Sequence, residues 1–243
     1  NYTPIQPPFL GQRVLDAIPV NELIPLIDWL YFYHAWRVKE QSEEGQLLRQ
    51  DAEALLSELA ADTRYAVRAE AAFFPARQHV NSIYVDVPCG AVEIPTPRQE
   101  RISISGQHRE QCLALSDFVS PLGGDYVGAF AATMSESFVS ELEELHRLNT
   151  DIYRELLLQT LGDRLAEAAA EYMSRRWTAE GWGGIRPAVG YPCLPEQNTI
   201  FDLARMIDYH AIGITLTENG AMYPQSSVSG LYLAHPNASY FTL

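Results

Sequence analysis

The period of the apolar positions changes several times along this chain, and each change predicts an element. Leu48, Ala52, Leu55, Leu56 and Leu59 share one face at helical spacing within QSEEGQLLRQDAEALLSELAADT (41–63). In FFPARQHVNSIYVDVP (73–88) the period falls to two. Ile83, Val85 and Val87 alternate with Ser82, Tyr84 and Asp86, as in a strand. VEIPT (92–96) and RISIS (101–105) read as further strands, and DYVGAFAATM (125–134) as a buried central strand. The longest helix falls in 151–177, with Leu158, Leu161, Leu165, Ala168 and Tyr172 on one face. NTIFDLARMIDYH (198–210) predicts a second amphipathic helix, which Gly213 would end. GITLTE, SVSGLYLAHP and SYFTL read as closing strands.

Strands thus come in runs between helix blocks, without strict β-α alternation. That order predicts an α+β fold with a largely antiparallel sheet flanked by helices. Residues 1–12 are proline-rich and read as an extended lead-in. No Pro/Ser-rich linker divides the chain, so residues 1–243 are read as one domain.

Charge narrows the function classes. Lys+Arg number 17 against 31 Asp+Glu, a net charge of −14, which argues against nucleic acid or an anionic membrane as partner. The cysteines are Cys89, Cys112 and Cys193, an odd number with no C-x-x-C, which fits a reduced, cytoplasmic setting. Neither a signal peptide nor a membrane-length apolar run is present. The missing initiator Met and the end at YFTL predict a fragment or processed chain.

Common catalytic motifs are absent, and the six histidines show no metal-ligand spacing, so neither zinc nor another metal is expected. DYHAIG (208–213) fits D-x-H-x-x-G, but at the end of a helix it reads as a chance match. On the long helix Asp163, Glu167 and Glu171 sit four apart and line up, which by pattern alone reads as a solvated acidic face.

GGIRPAVGYP (183–192) is the candidate for chemistry. Its prolines fix φ and remove donors, and its glycines allow close backbone approach. Two readings of its single arginine stand. Arg186 is held to grip a carboxylate with both ends of its guanidinium, with Tyr191 flat against a planar group. Alternatively the stretch is a kinked connection whose arginine pairs with a neighbouring acid such as Glu180.

The chain resembles the activation (reactivation) domain of cobalamin-dependent methionine synthase. The resemblance rests on DRLAEAAAEYM (163–173), GIRPAVGYP (184–192), LTENGAMYPQSSVSGLYLAHP (216–236) and SYF (239–241). IDWLYFYHAW (27–36), FFPA (73–76), CLALSDFVSP (112–121) and DYVGAFA (125–131) carry it in the same order. It implies a single C-shaped α+β domain on a bent antiparallel sheet that binds S-adenosylmethionine (AdoMet). It also implies that the chain presents the methyl group to cobalamin on a neighbouring cobalamin-binding domain, with an electron commonly supplied by flavodoxin. By matching position, Arg186 would hold the AdoMet carboxylate end, and Ala188, Gly190 and Tyr191 would complete the loop. Asp28, Glu167, Glu180 and Tyr240 would be the remaining ligand contacts.

The chain also departs from the family pattern. A His-Thr-Glu-Lys-like stretch after Gly-Tyr-Pro is replaced by CLPEQNTIF, the segment from Trp177 to Gly184 is short, and the C-terminal helices typical of the family are expected to be missing after Leu243. These departures leave two alternatives: a non-catalytic adaptor of a corrinoid protein, and a reactivator of a different corrinoid methyltransferase.

Overall fold

Alanine dominates the two longest strands, and that choice decides how the layers stack. A computed structural model describes residues 2–100 and 112–243, so the strand expected at 101–105 lies outside the described residues. Strand β2 (Ala66–His79) runs antiparallel to β5 (Asp125–Met134), in register from Val67–Met134 to Ala76–Asp125. Both strands are buried on both faces. Val67, Ala69, Ala71 and Phe73 join Phe130, Ala132 and Met134 in one core cluster, while Ala72, Phe74 and Ala76 join Val127, Ala129 and Ala131 in a second. This two-sided burial is why 125–134 shows no alternation of polar and apolar residues.

The remaining strands are β1 (Gly11–Pro19), β3 (Ser82–Val87), β4 (Gly90–Pro95) and β8 (Ser227–Tyr232). They give an antiparallel sheet ordered β4-β3-β2-β5-β8, with β1 also on β2. Both β1 and β3 use the edge of β2 opposite β5. The first takes Ala66–Phe73 and the second Ala76–His79. Pro75, which has no N–H, falls in the gap between them, where a missing ladder donor is tolerated. Thr215–Leu216 (β6) and Met222–Tyr223 (β7) form a separate small pair.

Helices α1 (Val20–Leu23), α2 (Trp29–Trp36), α3 (Glu43–Ala61), α4 (Glu136–Leu148) and α5 (Ile152–Ala179) contribute to the first cluster. Asp151 caps α5 by accepting from the Arg154 amide at 2.9 Å. Small residues bring α5 close to its neighbours. Ala166, Ala168, Ala169 and Ala170 are all buried, and a Cβ on Gly162 would lie 2.6 Å from the Phe138 ring and Ser226 Oγ. The second cluster is closed by α6 (Thr199–Leu203) and the segments around it.

The helix expected over 198–210 is only α6, followed by turns and a 3-10 turn at Tyr209–Ile212 that Gly213 (φ +89°) ends. Sheet side chains take the backbone groups that a continued helix would use. Gln12 donates to Met206 O (2.9 Å), Glu70 accepts from the Asp208 amide (3.2 Å), and Arg68 donates to Ala211 O (3.0 Å). Asp208 then caps the new turn by accepting from the Ala211 amide. His210 is an exposed residue of that turn.

SYFTL forms no strand. Side chains hold it instead: Phe241 is buried in the second cluster and Gln99 donates to Thr242 O at 2.6 Å. The extended lead-in ends where β1 begins, and α4 is an element beyond those expected. Among the described residues no helix is long and apolar enough to cross a membrane.

Glu70 is a carboxyl 1% exposed in β2, and its Oε2 has no partner among the described residues. Burial raises its pKa from 4.5 to about 7, against the Asp208 amide, which favours the charge. The folded state therefore keeps a proton that the unfolded chain releases above about 4.5. The stability this contributes is complete below that pH and is lost as pH rises through about 7. Glu70→Gln is expected to gain about 3 kcal/mol relative to the parent chain between pH 4 and pH 8. Urea unfolding at both pH values checks this, and parallel pH profiles for the two proteins would refute it.

Candidate functional site

The GGIRPAVGYP stretch lies as an irregular strand along the outer edge of β8. Ile185 and Leu233 exchange both backbone hydrogen bonds at 3.0 Å. Farther along, Pro187 O accepts from the Leu231 amide and the Val189 amide donates to Ser229 O, each at 2.9 Å. Pro187 is suited to this place because it supplies only an acceptor. The approach is so close that glycine is required on both sides. A Cβ on Gly184 would lie 1.9 Å from Leu233 O, and one on Gly230 would lie 2.2 Å from Pro187 O. The ribbon is thereby fixed, and Arg186 with it.

Arg186 projects onto α5. Its Nη1 lies 3.4 Å from Glu167 Oε2, and its Nε lies 3.2 Å from Glu171 Oε2. Glu171 Oε1 also takes Arg175 Nε at 2.7 Å, and Tyr191 donates to Glu167 Oε2 at 3.3 Å. The Arg186 amide donates to the Tyr240 hydroxyl at 3.0 Å, and the rings of Tyr191 and Tyr240 lie 6.1 Å apart. The Arg186 side chain is 16% exposed.

Electrostatics follow from this packing. Burial opposes the charge on Arg186, but Tyr191, Glu167, Tyr240 and Glu171 outweigh it and hold the guanidinium more firmly protonated than usual. Burial likewise favours neutral Glu171, yet Arg175 and Arg186 bring its pKa below the ordinary range. Burial, with Glu167 nearby, pushes Tyr191 up to about 12, so it stays a neutral donor.

These groups line a cavity of about 740 Å³, within the range of small-molecule sites. One wall is α5, with Arg164, Glu167, Ala168, Glu171 and Arg175. The second is the turn from Pro25 to Trp29, with Tyr31, and the third is Arg186, Gly190, Tyr191 and Pro192. Asp28 stands at the lip of the second wall and caps α2, accepting from the Leu30 amide at 3.0 Å.

Five of the eight sequence-derived candidates therefore meet at one cavity: Asp28, Glu167, Arg186, Gly190 and Tyr191. Tyr240 touches the site through the Arg186 amide. Ala188 is buried beneath the ribbon, paired with Gly230, and contributes fit to β8 rather than lining. Glu180 is not brought to the cavity. It ends α5 and pairs with Arg176 at 3.3 Å, so the Arg186–Glu180 pair considered from sequence does not form.

The acidic line on α5 is not a solvated face. Asp163 accepts from Ser226 and Gln159, while Glu167 and Glu171 hold Arg186. Sequence reasoning missed Arg164, Arg175, Tyr31 and the pairing of Glu171. The fourfold spacing from Glu167 to Glu171 was the available signal, but nothing local shows that an arginine fifteen residues away faces it.

The matches to known proteins fit this geometry. Residues 19–243 match the family model described as vitamin B12 dependent methionine synthase, activation domain. The structure is also similar to the crystal structure of the MetH reactivation domain bound to AdoHcy. The two share 29% sequence identity and a TM-score of 0.84, covering 99% of this chain and 83% of that one. With its antiparallel sheet and flanking helices matched over nearly its whole length, the chain belongs to the activation-domain family of vitamin B12 dependent methionine synthase.

Proposed function

We propose that this chain binds AdoMet in the cavity between α5, the Pro25–Trp29 turn and the 184–192 ribbon, and presents its methyl group to a cobalamin-binding domain. The observation that carries this reading is the grouping of Arg186, Glu167 and Glu171 in one small-molecule-sized cleft. AdoMet has a carboxylate, an ammonium and a sulfonium. One arginine and a set of carboxylates are the matching complement. Arg186 would take the carboxylate, with Glu167 and Asp28 facing the cationic part. Tyr191 would lie against the planar base, with Tyr240 beside it, and Gly190 would let the ribbon backbone approach it. The relative's binding of AdoHcy, a demethylated counterpart of the same ligand, supports the assignment.

When bound to its own domain, cobalamin would supply the redox and methyl-accepting chemistry. This chain's contribution would be positioning, which converts an encounter into an oriented contact. Both core clusters draw on β2 and β5, which supports treating 1–243 as one unit that can act this way. A flavodoxin-like one-electron donor and a cytoplasmic setting complete the proposal.

Two measurements test it. Calorimetry with AdoMet is expected to show one site per chain, and no heat of binding would refute the reading. With a cobalamin domain and a chemical reductant, corrinoid methylation is expected only when AdoMet and this chain are both present. Binding without methylation would favour the adaptor alternative.

A further inference from the structure

Two glutamates of α5 pair with the one guanidinium of Arg186, and they are not equivalent. Glu167 makes the longer contact, 3.4 Å to Nη1, and shares the same oxygen with the Tyr191 hydroxyl. Glu171 makes the shorter one, 3.2 Å to Nε, and is braced from behind by Arg175 at 2.7 Å. The guanidinium is therefore held at its Nε end, with its Nη end toward the cavity and the looser partner.

We propose that Glu171 is a positioning residue: it fixes Arg186 through Nε, so that the zwitterionic end of a ligand exchanges only with the Arg186–Glu167 contact. This rests on the AdoMet reading above. The carboxylate of the ligand moves onto the Nη end of Arg186, and its ammonium moves onto the released Glu167. One ion pair opens and two form, with no change in net charge beyond the ligand's own. Were Glu171 released as well, two half-buried glutamates would compete for one ammonium, and their mutual repulsion would oppose binding. The site then selects for a ligand that carries both charges of an α-amino acid, and Glu171 acts on the carboxylate half alone.

The probes are AdoHcy, which has both charges, and 5′-methylthioadenosine, which lacks the amino-acid end. Calorimetry compares the unmodified chain with Glu171→Gln, and thermal unfolding is recorded on the same samples. AdoHcy affinity is expected to fall roughly 10- to 100-fold, the range for a charged hydrogen bond. The affinity for 5′-methylthioadenosine should stay within about twofold, below the resolution of such an energy difference. Glu171→Asp keeps the charge but retracts it by one methylene, and is expected to show the same split if the glutamine variant does not fold. Unchanged AdoHcy affinity, or equal losses for both probes, overturns the positioning role. Failure of the unmodified chain to bind AdoHcy overturns the AdoMet reading instead, and this role with it.

Discussion

Arg186→Ala is expected to weaken AdoMet binding by about 2–5 kcal/mol, or roughly 30- to 5,000-fold. Two effects add. The first is loss of the cavity guanidinium that bonds to both Glu167 and Glu171. The second is that Glu167 loses its cation, while Glu171 keeps only Arg175. The vacated corner becomes net acidic and repels the carboxylate that Arg186 would have held. Arg186→Lys keeps the charge but not the planar fork, and about a tenfold loss is expected for it. Fold stability should change much less than affinity, because both acids remain partly solvated at 27% and 32% side-chain exposure. Isothermal calorimetry on the three proteins measures this, and an alanine variant that binds as tightly as the parent would refute the role of the ribbon.

Gly184→Ala is expected to damage both stability and the site. The added methyl would meet Leu233 O at 1.9 Å, with Leu233 C and Ala234 Cα at 2.9 Å, all of them backbone atoms. No side-chain rotation relieves such a contact, so the ribbon must lift from β8. That opens the paired bonds between Ile185 and Leu233. Two backbone hydrogen bonds at about 1 kcal/mol each, plus overpacking of about 1–3 kcal/mol, give roughly 3–5 kcal/mol. For a chain of this length the thermal midpoint should fall by about 6–20 °C. AdoMet affinity should fall too, since Arg186 is two residues away. Gly190→Ala is the contrast. Nothing lies within 4 Å of its Cβ, and only its φ of +93° resists substitution, at about 1–2 kcal/mol. Equal effects at the two positions would show that the ribbon does not depend on the β8 contact.

How much of this was legible depends on distance along the chain. The strand at 125–134 and the helix from 152 announce themselves because their signals are local: an apolar run bounded by turns, and a capped 3.6 period. The edge strand β1 does not, because only Ile18 is buried and alternation has nothing to report. For α4 the signal existed, with Phe138, Leu142 and Leu145 at helical spacing, but it lies among acids that lower the segment's apolar character. The helix expected to 210 failed because Gln12 and Glu70, more than 130 residues away, take its backbone groups.

The site divides in the same way. The stiffness of 183–192 follows from its own prolines and glycines. Its partner does not, because the need for glycine at 184 comes from backbone at 233, far along the chain, and the need at 230 comes from the ribbon at Pro187. The family resemblance supplied Glu167, which periodicity assigned to solvent. It also supplied Glu180, which the structure pairs with Arg176 instead.

The ribbon has one more consequence, for solubility. An uncovered β8 would present a row of free backbone donors and acceptors, a ready template for a strand from another molecule. The ribbon covers that edge, and its own outward groups are already taken: the Arg186 amide donates to the Tyr240 hydroxyl, Ala188 O accepts from the Tyr191 amide, and the Gly190 amide donates to Leu194 O. The ten residues that carry Arg186 therefore also keep the sheet from growing. A variant chosen to loosen the ribbon for a larger ligand would expose a sticky edge at the same time.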